Sequence, residues 1–330
     1  MAEPVLITGI TGQLGRAIFE HLPERKEEVA CILRKDASSY DIDLSSMKIL
    51  YADISDRKSL FKYVKEMNSK VKTIIHMAAV GHGYPEKEIR DTVLSGAINL
   101  YDFAREIGCE KYIFLSSILA AGWVPRGMSS LDETCNPRKK DLCYFGKMKL
   151  QAEGELLRMA EGGTPKVVVL RLGNVYGPPT KLSFVKYVAD IVLKKNKMFY
   201  FRAKDSVMWA PVYIQDVIDC IFYLLDKSSF ENSIYFLTGS EHATLEEIMK
   251  LVSNALHISV KDMNLGPAES VKLFIWQALD LVRAFVGRPS FPDFIYSNKK
   301  MEVELGFLPK MKLGEGVKRT VEWGLSKGAF

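Results

Sequence analysis

The sequence has few of the features that mark secreted, metal-binding or membrane-spanning proteins. Its five cysteines are scattered singly, without the paired spacing of a zinc site or a disulfide framework. Residues 1–9 enter an apolar strand without the basic start of a signal peptide. We therefore expect a reducing compartment, a cytoplasmic location, no bound metal and no spanning membrane segment.

The most lipid-like segment is LFIWQALDLVRAFVG, residues 273–287. It contains Asp280 and Arg283, and it is shorter than the ~20 apolar residues that a spanning helix needs. We interpret it as a helix packed within the fold, and contact with a membrane surface is the alternative.

Clustered positive charge is also lacking. The formal net charge is +5, but the lysines and arginines lie in short clusters mixed with acidic residues. Binding of a phosphate backbone requires cations gathered in one block or on one face. The charge pattern therefore argues against nucleic acid as a partner. We also find no internal repeat and no low-complexity tract.

Apolar runs alternate with amphipathic stretches along the first half of the chain. Residues 86–108 show a helical pattern that closes at Gly108. Runs rich in valine, isoleucine and leucine are typical of strands buried on both faces. They lie at residues 4–9, 28–34, 48–54, 71–79, 111–117 and 166–173. This alternation predicts βαβ units, and therefore an α/β fold with a Rossmann doubly wound parallel sheet.

The pattern changes after residue 178. A capping box at Thr244 and Glu247 predicts the start of a helix. The other predicted elements are helices near 183–196 and from about 214, and short strands at 198–202 and 233–239. We predict a dinucleotide-binding domain at residues 1–178. Residues 179–330 would form a smaller, mixed substrate lobe, from which residues 205–240 return to the first domain.

A glycine-rich turn follows the first predicted strand. Gly9, Gly12 and Gly15 have the spacing G-x-x-G-x-x-G and precede a predicted helix. Glycine lets the chain turn tightly and lets the backbone approach a pyrophosphate, which binds at the N–H groups of the helix N-terminus. At this place in a βαβ chain the triplet indicates a dinucleotide site rather than a structural turn alone. A P-loop is excluded, because no Gly-Lys-Ser/Thr follows.

Several motifs combine into a family pattern that covers nearly the whole chain. They are the glycine turn, Asp53 in ADISD, HMAA at 76–79, FLSS ending at Ser117, KLQAE at 149–153, RLGNVYGP at 171–178, VYIQDV with Asp216, and the closing ELGFLPKMKLGEGVKRTVEW. Together they resemble the extended short-chain dehydrogenases/reductases, the NAD-dependent epimerase/dehydratase family. The resemblance implies an oxidoreductase that uses NAD or NADP.

The resemblance also assigns cofactor contacts to matched positions. Asp53 and Ile54 would hold the adenine, although Asp53 alone could be a turn residue. The other implied contacts are Gln13 and Leu14 within the glycine turn, Ala78 and Ala79 at the end of the fourth strand, Lys149 at the nicotinamide ribose, and Asn174 and Val175 beside the nicotinamide. We interpret His76 and Asp216 as structural polar groups.

The end of the second strand indicates which dinucleotide binds. A carboxylate there accepts a hydrogen bond from the ribose 2′-OH of NAD, whereas a cation pairs with the 2′-phosphate of NADP. Arg34 comes first and Lys35 next, and Arg16 follows the last glycine. Asp36 comes later and could instead cap a helix or turn. We therefore favour NADP, with NAD as second choice.

The matched catalytic positions contain one departure from the family. The family's serine falls on Ser117 and its lysine on Lys149, but its proton-donating tyrosine falls on Phe145. Tyr144 lies one position earlier. A tyrosine with a free pKa near ~10 needs a cation beside it to act at neutral pH. A phenylalanine cannot exchange protons at all.

Three interpretations of Phe145 stay open. It is an engineered replacement that inactivates the enzyme, or it is natural and Tyr144, a water or the substrate supplies the proton. In the third, the fold is kept only to bind or sense a dinucleotide. Direct replacement by Tyr144 conflicts with helix geometry, because adjacent helical residues point ~100° apart. Tyr144 could bend inward only if the helix began after it.

The substrate class is indicated by a missing arginine. Family members that bind nucleotide sugars place an arginine shortly before the VYIQD segment, where this chain has Trp209. Residues 272–294 are dense in aromatic and aliphatic side chains, which suits an apolar pocket or simply the core of the lobe. The chain looks more like the 3β-hydroxysteroid dehydrogenase-like and dihydroflavonol reductase-like branch. We predict an apolar hydroxy or keto substrate, with a nucleotide-sugar epimerase or dehydratase as the alternative, and the sequence leaves a homodimer open.

Overall fold

The structure is a computed structural model. It describes residues 4–22, 29–81, 83–122, 130–135, 137, 142–179, 183–193, 208–258 and 295–329. The strands of this part of the chain are β1 (Val5–Thr8), β2 (Val29–Leu33), β3 (Lys48–Tyr51), β4 (Thr73–His76), β5 (Lys111–Ser117), β6 (Ser130–Leu131), β7 (Lys166–Leu172), β8 (Asn174–Tyr176), β9 (Met208–Trp209), β10 (Pro211–Tyr213), β11 (Ser233–Leu237), β12 (Ala243–Thr244) and β13 (Ile295–Tyr296).

The helices lie between these strands and at the end of the chain. They are α1 (Gln13–Glu20), α2 (Arg57–Phe61), α3 (Val64–Met67), α4 (Glu86–Arg90), α5 (Gly96–Glu106), α6 (Tyr144–Met159), α7 (Phe184–Leu193), α8 (Ile214–Asp226), α9 (Leu245–Ala255), α10 (Lys299–Leu305) and α11 (Leu313–Ser326). A π-helical turn, Asp91–Ser95, joins α4 to α5, and short 3₁₀ turns span Ala37–Ser39 and Ile118–Ala120.

Seven parallel strands form the central sheet, in the order β11-β7-β5-β4-β1-β2-β3. The chain runs outward from β1 to β3 and then returns to the other side of β1 as β4. The strand order therefore reverses between β1 and β4, and open α/β sheets bind ligands at such a point, beyond the carboxyl ends of the strands. The predicted Rossmann-type α/β fold is confirmed.

Helices cover both faces of the sheet, which explains the continuous apolar runs. In β1, Val5 and Ile7 belong to the core that includes Ile18 of α1 and Ile218 of α8. Leu6 belongs to the opposite core, which includes residues of α5 and α6. Alternate side chains thus enter different cores, and each buried aliphatic side chain contributes roughly 1.5–3 kcal/mol. Because most strand side chains are shielded from water, polar residues are rare in these runs. The edge strand β3 is the exception, since Lys48 and Tyr51 are exposed.

The predicted helix over residues 86–108 is present, and Gly108 ends it. Gly108 has φ +74° and its N–H donates to the Arg105 carbonyl, while Cys109 N donates to the Ala104 carbonyl. A left-handed residue after a helix is the usual place for glycine.

A smaller lobe is built from α7, α9 and α11. Its core includes Val188, Val252 and Val317, one from each helix. The capping box at Thr244 is confirmed, because Thr244 Oγ1 accepts from Glu247 N and Glu247 Oε2 accepts from Thr244 N. β11 follows α8 and joins the central sheet beside β7.

The strand predicted at 198–202 and the helix predicted at 273–287 lie outside the described residues. The domain boundary at residue 178 stays a prediction. Within the described ranges, no helix combines the length and the apolar character that crossing a membrane requires.

Candidate functional site

The glycine turn brings the end of β1 against the end of β4. Gly9 has φ +78°, and a Cβ at this residue would lie 2.7 Å from Ala78 N. A Cβ at Gly15 would lie 2.3 Å from the Gly9 carbonyl oxygen and 2.4 Å from Ile10 Cα. Gly12 N donates to that same Gly9 oxygen at 3.0 Å. The turn therefore closes only because these positions lack side chains.

The N-terminus of α1 is open to an anion. Gly12 is its N-cap residue, and no described side chain caps it or places an acid in its first turn. The amide Nε2 of Gln13 is buried and has no hydrogen-bond partner within the described ranges. Backbone N–H groups at a helix N-terminus attract phosphate oxygens. Gln13, Leu14 and Gly15, which begin α1, thus fit the pyrophosphate role that the sequence predicts for them.

A cleft extends from the glycine turn over the ends of β2, β3 and β4. Its lining includes seven of the predicted cofactor residues, which are Gly9, Gly12, Arg34, Asp53, Ile54, Ala78 and Ala79. Sequence reasoning missed others, among them Thr11, Tyr40, Val80 and Thr92. Thr92 is in the π-helical turn, and π turns are frequent at functional sites. Lys35 follows Arg34 along the chain but is not among the lining residues.

Arg34 follows β2 and has a largely exposed side chain. Its Nη1 lies 3.8 Å from Glu88 Oε1, and both side chains are exposed to water. The carboxylate of Asp36 is hydrogen-bonded within its own turn. Its Oδ1 accepts from Ser38 N at 2.9 Å and from Ser38 Oγ at 2.6 Å. Asp36 therefore caps a turn, which is the alternative role that the sequence left open for it. Arg16 donates to the carbonyl oxygens of Thr11 and Asp41.

Asp53 both lines the cleft and makes a turn. Its Oδ1 accepts from Ser55 N at 2.8 Å and from Ser55 Oγ at 2.7 Å. Asn99 Nδ2 donates to the carbonyl oxygen of Ile54 at 3.0 Å. The segment that would face the adenine is therefore fixed in place by hydrogen bonds to its own side chains and to α5.

His76 ties β1 to β4 at the point where the strand order reverses. Its Nδ1 lies 2.7 Å from Thr8 Oγ1, which also accepts from Ala78 N at 3.3 Å. Burial, together with the charge of Lys149, lowers the His76 pKa to about 3. Asp216 accepts from the backbone N–H groups of Lys310 and Met311 at 2.8 and 3.2 Å. Both contacts agree with structural roles.

The lysine predicted to be catalytic is buried beneath aromatic rings. Lys149 is 2% exposed, and its Nζ donates to the Leu115 carbonyl oxygen at 2.6 Å. The same Nζ lies 4.4 Å from the centre of the Phe114 ring and 5.8 Å from the centre of the Phe145 ring. Burial lowers the pKa of Lys149 to about 7, against the opposing effect of Glu153.

Tyr144 and Phe145 both lie in the first turn of α6. The helix begins at Tyr144, and Cys143 is its N-cap residue, with its Sγ accepting from Gly146 N at 3.4 Å. The arrangement in which Tyr144 precedes the helix is therefore absent. Both rings pack in an apolar cluster with Ile89, Val93 and Met148.

The helix α6, which carries Lys149, packs closely on the segment after β5, which carries Ser117. A Cβ at Gly146 would lie 2.3 Å from the Leu119 carbonyl oxygen. Ser117 is the N-cap residue of the short 3₁₀ turn, and its Oγ accepts from Leu119 N at 3.2 Å. The elements that carry the two predicted catalytic residues thus meet at one edge of the sheet.

A buried ion pair under this edge escaped sequence reasoning. Arg171 Nη2 lies 2.7 Å from Glu153 Oε2, and the two side chains are 4% and 1% exposed. Ser116 Oγ donates to the same carboxylate. Arg171 and Glu153 belong to two of the motifs in the sequence, but nothing in the spacing shows that they touch.

Asn174 and Val175 lie just beyond β7, in β8. Asn174 Oδ1 accepts from Ala210 N at 3.2 Å, and β8 pairs with β10. Trp209 precedes this pair and packs on Phe184, with ring centres 5.5 Å apart. The side chain at the place of the missing arginine is thus partly buried and packs against the lobe core. Across the described positions, no three His, Cys, Asp or Glu side chains are grouped as a metal site.

The chain is similar in sequence to characterised enzymes along its whole length. The NAD dependent epimerase/dehydratase family matches residues 5–237. A UDP-glucose 4-epimerase of Vibrio cholerae is 22% identical, over 98% of this chain and 95% of its own. A dTDP-4-dehydro-6-deoxyglucose reductase of Escherichia coli is 24% identical, over 96% of each chain.

The fold is also shared with a solved enzyme. The Bordetella bronchiseptica enzyme WbmG, in complex with NAD and UDP, superposes with a TM-score of 0.73 and 15% identity, covering 100% of this chain and 97% of its own. The family match spans the glycine turn, the cleft, Lys149 and the central sheet through β11. The chain belongs to the NAD-dependent epimerase/dehydratase family of extended short-chain dehydrogenases/reductases.

Proposed function

We propose that the protein is an NADP-linked oxidoreductase acting on an apolar hydroxy or keto compound. The observation that carries the proposal is the cleft at the ends of β1, β2 and β4, which Gly9, Gly12 and Arg34 line. Ser117 and Lys149 stand at the family's serine and lysine positions in the same chain. The cofactor, when bound, supplies or accepts the hydride. The protein's own residues bind the cofactor, orient the substrate oxygen and exclude water.

The electrostatics of the cleft support NADP. Arg34 lines the cleft, and its contact with Glu88 is a long, exposed ion pair of the kind that is worth at most ~1 kcal/mol. The nearest carboxylate along the chain, Asp36, is used as a cap and is not a cleft-lining residue. A planar guanidinium suits a phosphate, because it can donate two parallel hydrogen bonds.

Different residues would hold different parts of the cofactor. The open N-terminus of α1 would bind the pyrophosphate, and Asp53 with Ile54 would hold the adenine. Ala78 and Ala79 would lie against the cofactor between these points. Asn174 and Val175 would flank the nicotinamide at the opening toward the smaller lobe, where the substrate oxygen would meet Ser117.

The apolar substrate is supported by what surrounds Trp209. An arginine at this position could bind a diphosphate through its guanidinium group. Trp209 instead packs on Phe184, in the same cluster as Tyr176. An apolar wall with few polar groups favours an apolar ligand. Residues 272–294, which the sequence also connects with the substrate, lie outside the described part of the chain.

A nucleotide-sugar epimerase or dehydratase is the second candidate. It is favoured by the Vibrio cholerae UDP-glucose 4-epimerase and by WbmG, whose structure contains UDP. A non-catalytic dinucleotide-binding protein is the candidate from another class, and Phe145 favours it because this side chain cannot donate a proton.

One series of measurements separates the three candidates. NADPH binding is followed by nicotinamide fluorescence, and NADPH oxidation is then measured with a panel of apolar ketones. In parallel, UDP-sugars are titrated by calorimetry. Turnover of an apolar ketone supports the proposal, and tight UDP-sugar binding supports the second candidate. NADPH binding with no turnover and no UDP-sugar binding supports the non-catalytic protein.

A further inference from the structure

The cleft has a second wall, which α4 and the π-helical turn after it provide. Thr92, in the π turn, lines the cleft. Glu88 lies four residues earlier, in α4, and residues four apart are neighbours on one face of a helix. Ile89 and Val93 lie on another face, where they pack with Met148 of α6. The face that carries Glu88 is therefore the one that meets the cleft.

Glu88 extends from this wall to Arg34, which lines the cleft from the end of β2. Glu88 Oε1 lies 3.8 Å from Arg34 Nη1, and the two side chains are 38% and 50% exposed. This distance exceeds the ~2.7–3.2 Å of a hydrogen bond, so the contact is electrostatic and does not fix the guanidinium in one orientation. Arg34 can therefore turn its N–H groups to another acceptor.

The other charges of α4 are paired away from Glu88. Lys87 Nζ lies 3.2 Å from Asp91 Oδ2, and Arg90 Nε lies 3.4 Å from Asp91 Oδ1. Both bases of this helix thus face Asp91. Among the residues that the structure describes, the ion pair of Glu88 is with Arg34. The charge of Glu88 is therefore directed at the cation that we assign to the cofactor.

We propose that Glu88 is a specificity-determining residue, which weakens the binding of NADP by competing with its 2′-phosphate for Arg34. The inference deepens the proposed function and rests on it, because it requires the 2′-phosphate to lie at Arg34. A phosphate monoester carries about −1.5 to −2 charges at neutral pH, and a carboxylate beside it repels it. NAD lacks this phosphate, so Glu88 affects its binding much less. Glu88 thus sets how strongly the cleft prefers NADP over NAD.

The two effects of Glu88 have the same sign. Binding of the 2′-phosphate breaks an exposed ion pair, and it also brings the phosphate close to a carboxylate. Exposed pairs of this kind change a dissociation constant by up to ~5-fold. Salt should reduce the effect, because the Debye length falls from ~10 Å at 0.1 M to ~3 Å at 1 M ionic strength.

Two adenosine nucleotides that differ only in the 2′-phosphate test the inference on the full chain. Adenosine 2′,5′-bisphosphate and 5′-AMP are titrated by calorimetry at 0.1 M and 1 M salt. Glu88→Gln keeps the size of the side chain and removes its charge. We expect it to tighten binding of the bisphosphate ~2- to 5-fold at 0.1 M salt, to leave 5′-AMP unchanged, and to have less effect at 1 M salt. Unchanged or weaker binding of the bisphosphate would overturn the inference.

Two further variants separate a contact with Arg34 from a general change in charge. Glu86→Gln removes the same charge from the same helix, but two residues away and therefore ~200° around the helix axis. It should have little effect, and a gain equal to that of Glu88→Gln would contradict the inference. In an Arg34→Ala background the gain from Glu88→Gln should shrink, because no ion pair remains to be broken. A gain of undiminished size there would also contradict it.

The same titrations distinguish this inference from the NADP linkage itself. If the unsubstituted protein prefers the bisphosphate and Glu88→Gln changes nothing, the role of Glu88 alone is wrong. A preference for the bisphosphate that arises only in Glu88→Gln would support the role of Glu88 and contradict the NADP linkage. Equal binding of the two nucleotides by both proteins would contradict both proposals.

Discussion

The ammonium of Lys149 lies 5.8 Å from the centre of the Phe145 ring, one helical turn away on the same face of α6. The resemblance to the family predicts a phenol at this position. Phe145→Tyr would add a hydroxyl close to the lysine, and we expect carbonyl reduction to accelerate by ~10²–10⁴-fold, as a positioned acid–base group allows. Stopped-flow measurement of NADPH oxidation checks the gain.

Tyr144→Phe is the matched control for that substitution. It removes the neighbouring hydroxyl, and we expect it to be nearly silent because Tyr144 is in the same helical turn but points ~100° away. Loss of activity in Tyr144→Phe, with no gain in Phe145→Tyr, would mean that the proton travels through Tyr144.

Arg34→Ala should weaken NADPH binding far more than NADH binding. Loss of one charge-assisted hydrogen bond is worth roughly 1.5–3 kcal/mol, or about 10- to 150-fold in Kd. Lys35→Ala is the neighbouring control, and its effect should be smaller because Lys35 does not line the cleft. Fluorescence titration measures both cofactors, and equal losses for NADPH and NADH would refute the role of Arg34.

Gly15→Ala should abolish tight dinucleotide binding and destabilise the fold. Its Cβ would lie 2.3 Å from the Gly9 oxygen, so the turn must open. Gly154→Ala is the control, because a Cβ there meets nothing within 4 Å on the surface of α6. We expect Gly154→Ala to stabilise the protein by ~0.5–1 kcal/mol and to leave binding unchanged. Urea unfolding and NADPH titration measure the two effects, and intact binding in Gly15→Ala would contradict the predicted site.

Lys149→Met should stabilise the protein most at low pH. The pKa of Lys149 falls from 10.5 to about 7 on folding, so between these values the unfolded chain binds more protons than the folded one. The free energy of unfolding therefore rises with pH across that window. Below about pH 7 the folded protein bears the full cost of burying the charged lysine. We expect Lys149→Met to gain a few kcal/mol at pH 6 and much less at pH 10, by urea unfolding. The same gain at both pH values would show that Lys149 is not buried as a charged group.

Trp209→Arg should not create a UDP-sugar site. The arginine would restore the cation of the nucleotide-sugar enzymes, but Trp209 packs on Phe184 against the lobe core, so the new side chain would enter apolar surroundings. Calorimetry with UDP-glucose should detect no tight binding by the Trp209→Arg variant or by the unsubstituted protein. Micromolar binding of UDP-glucose by the unsubstituted protein would contradict the prediction of an apolar substrate.

Local patterns predicted much of the fold, because they depend on neighbouring residues. Gly108 ends its helix and Thr244 caps another as the spacing indicates. Continuous apolar runs became parallel strands, because helices cover both faces of the sheet. The glycine turn was visible in the sequence because its geometry admits no side chain.

The remaining features depend on contacts between distant segments. The Glu153–Arg171 pair joins α6 to β7 inside the core, and spacing along the chain does not reveal it. Thr92 reaches the cleft from a π-helical turn within a pattern that looks uniformly α-helical. The position of Tyr144 was settled by Cys143, an unusual N-cap residue that a search for serine, threonine or aspartate overlooks.

Binding of NADPH to the unsubstituted protein is the most direct test of an NADP-linked enzyme built on the cleft at β1 and β4. Dissociation constants for NADPH and NADH are measured by nicotinamide fluorescence at one fixed salt concentration. We predict that NADPH binds at least ~10-fold more tightly, as one charge-assisted contact to Arg34 implies. Equal or tighter binding of NADH, or no binding of either, would contradict the assignment.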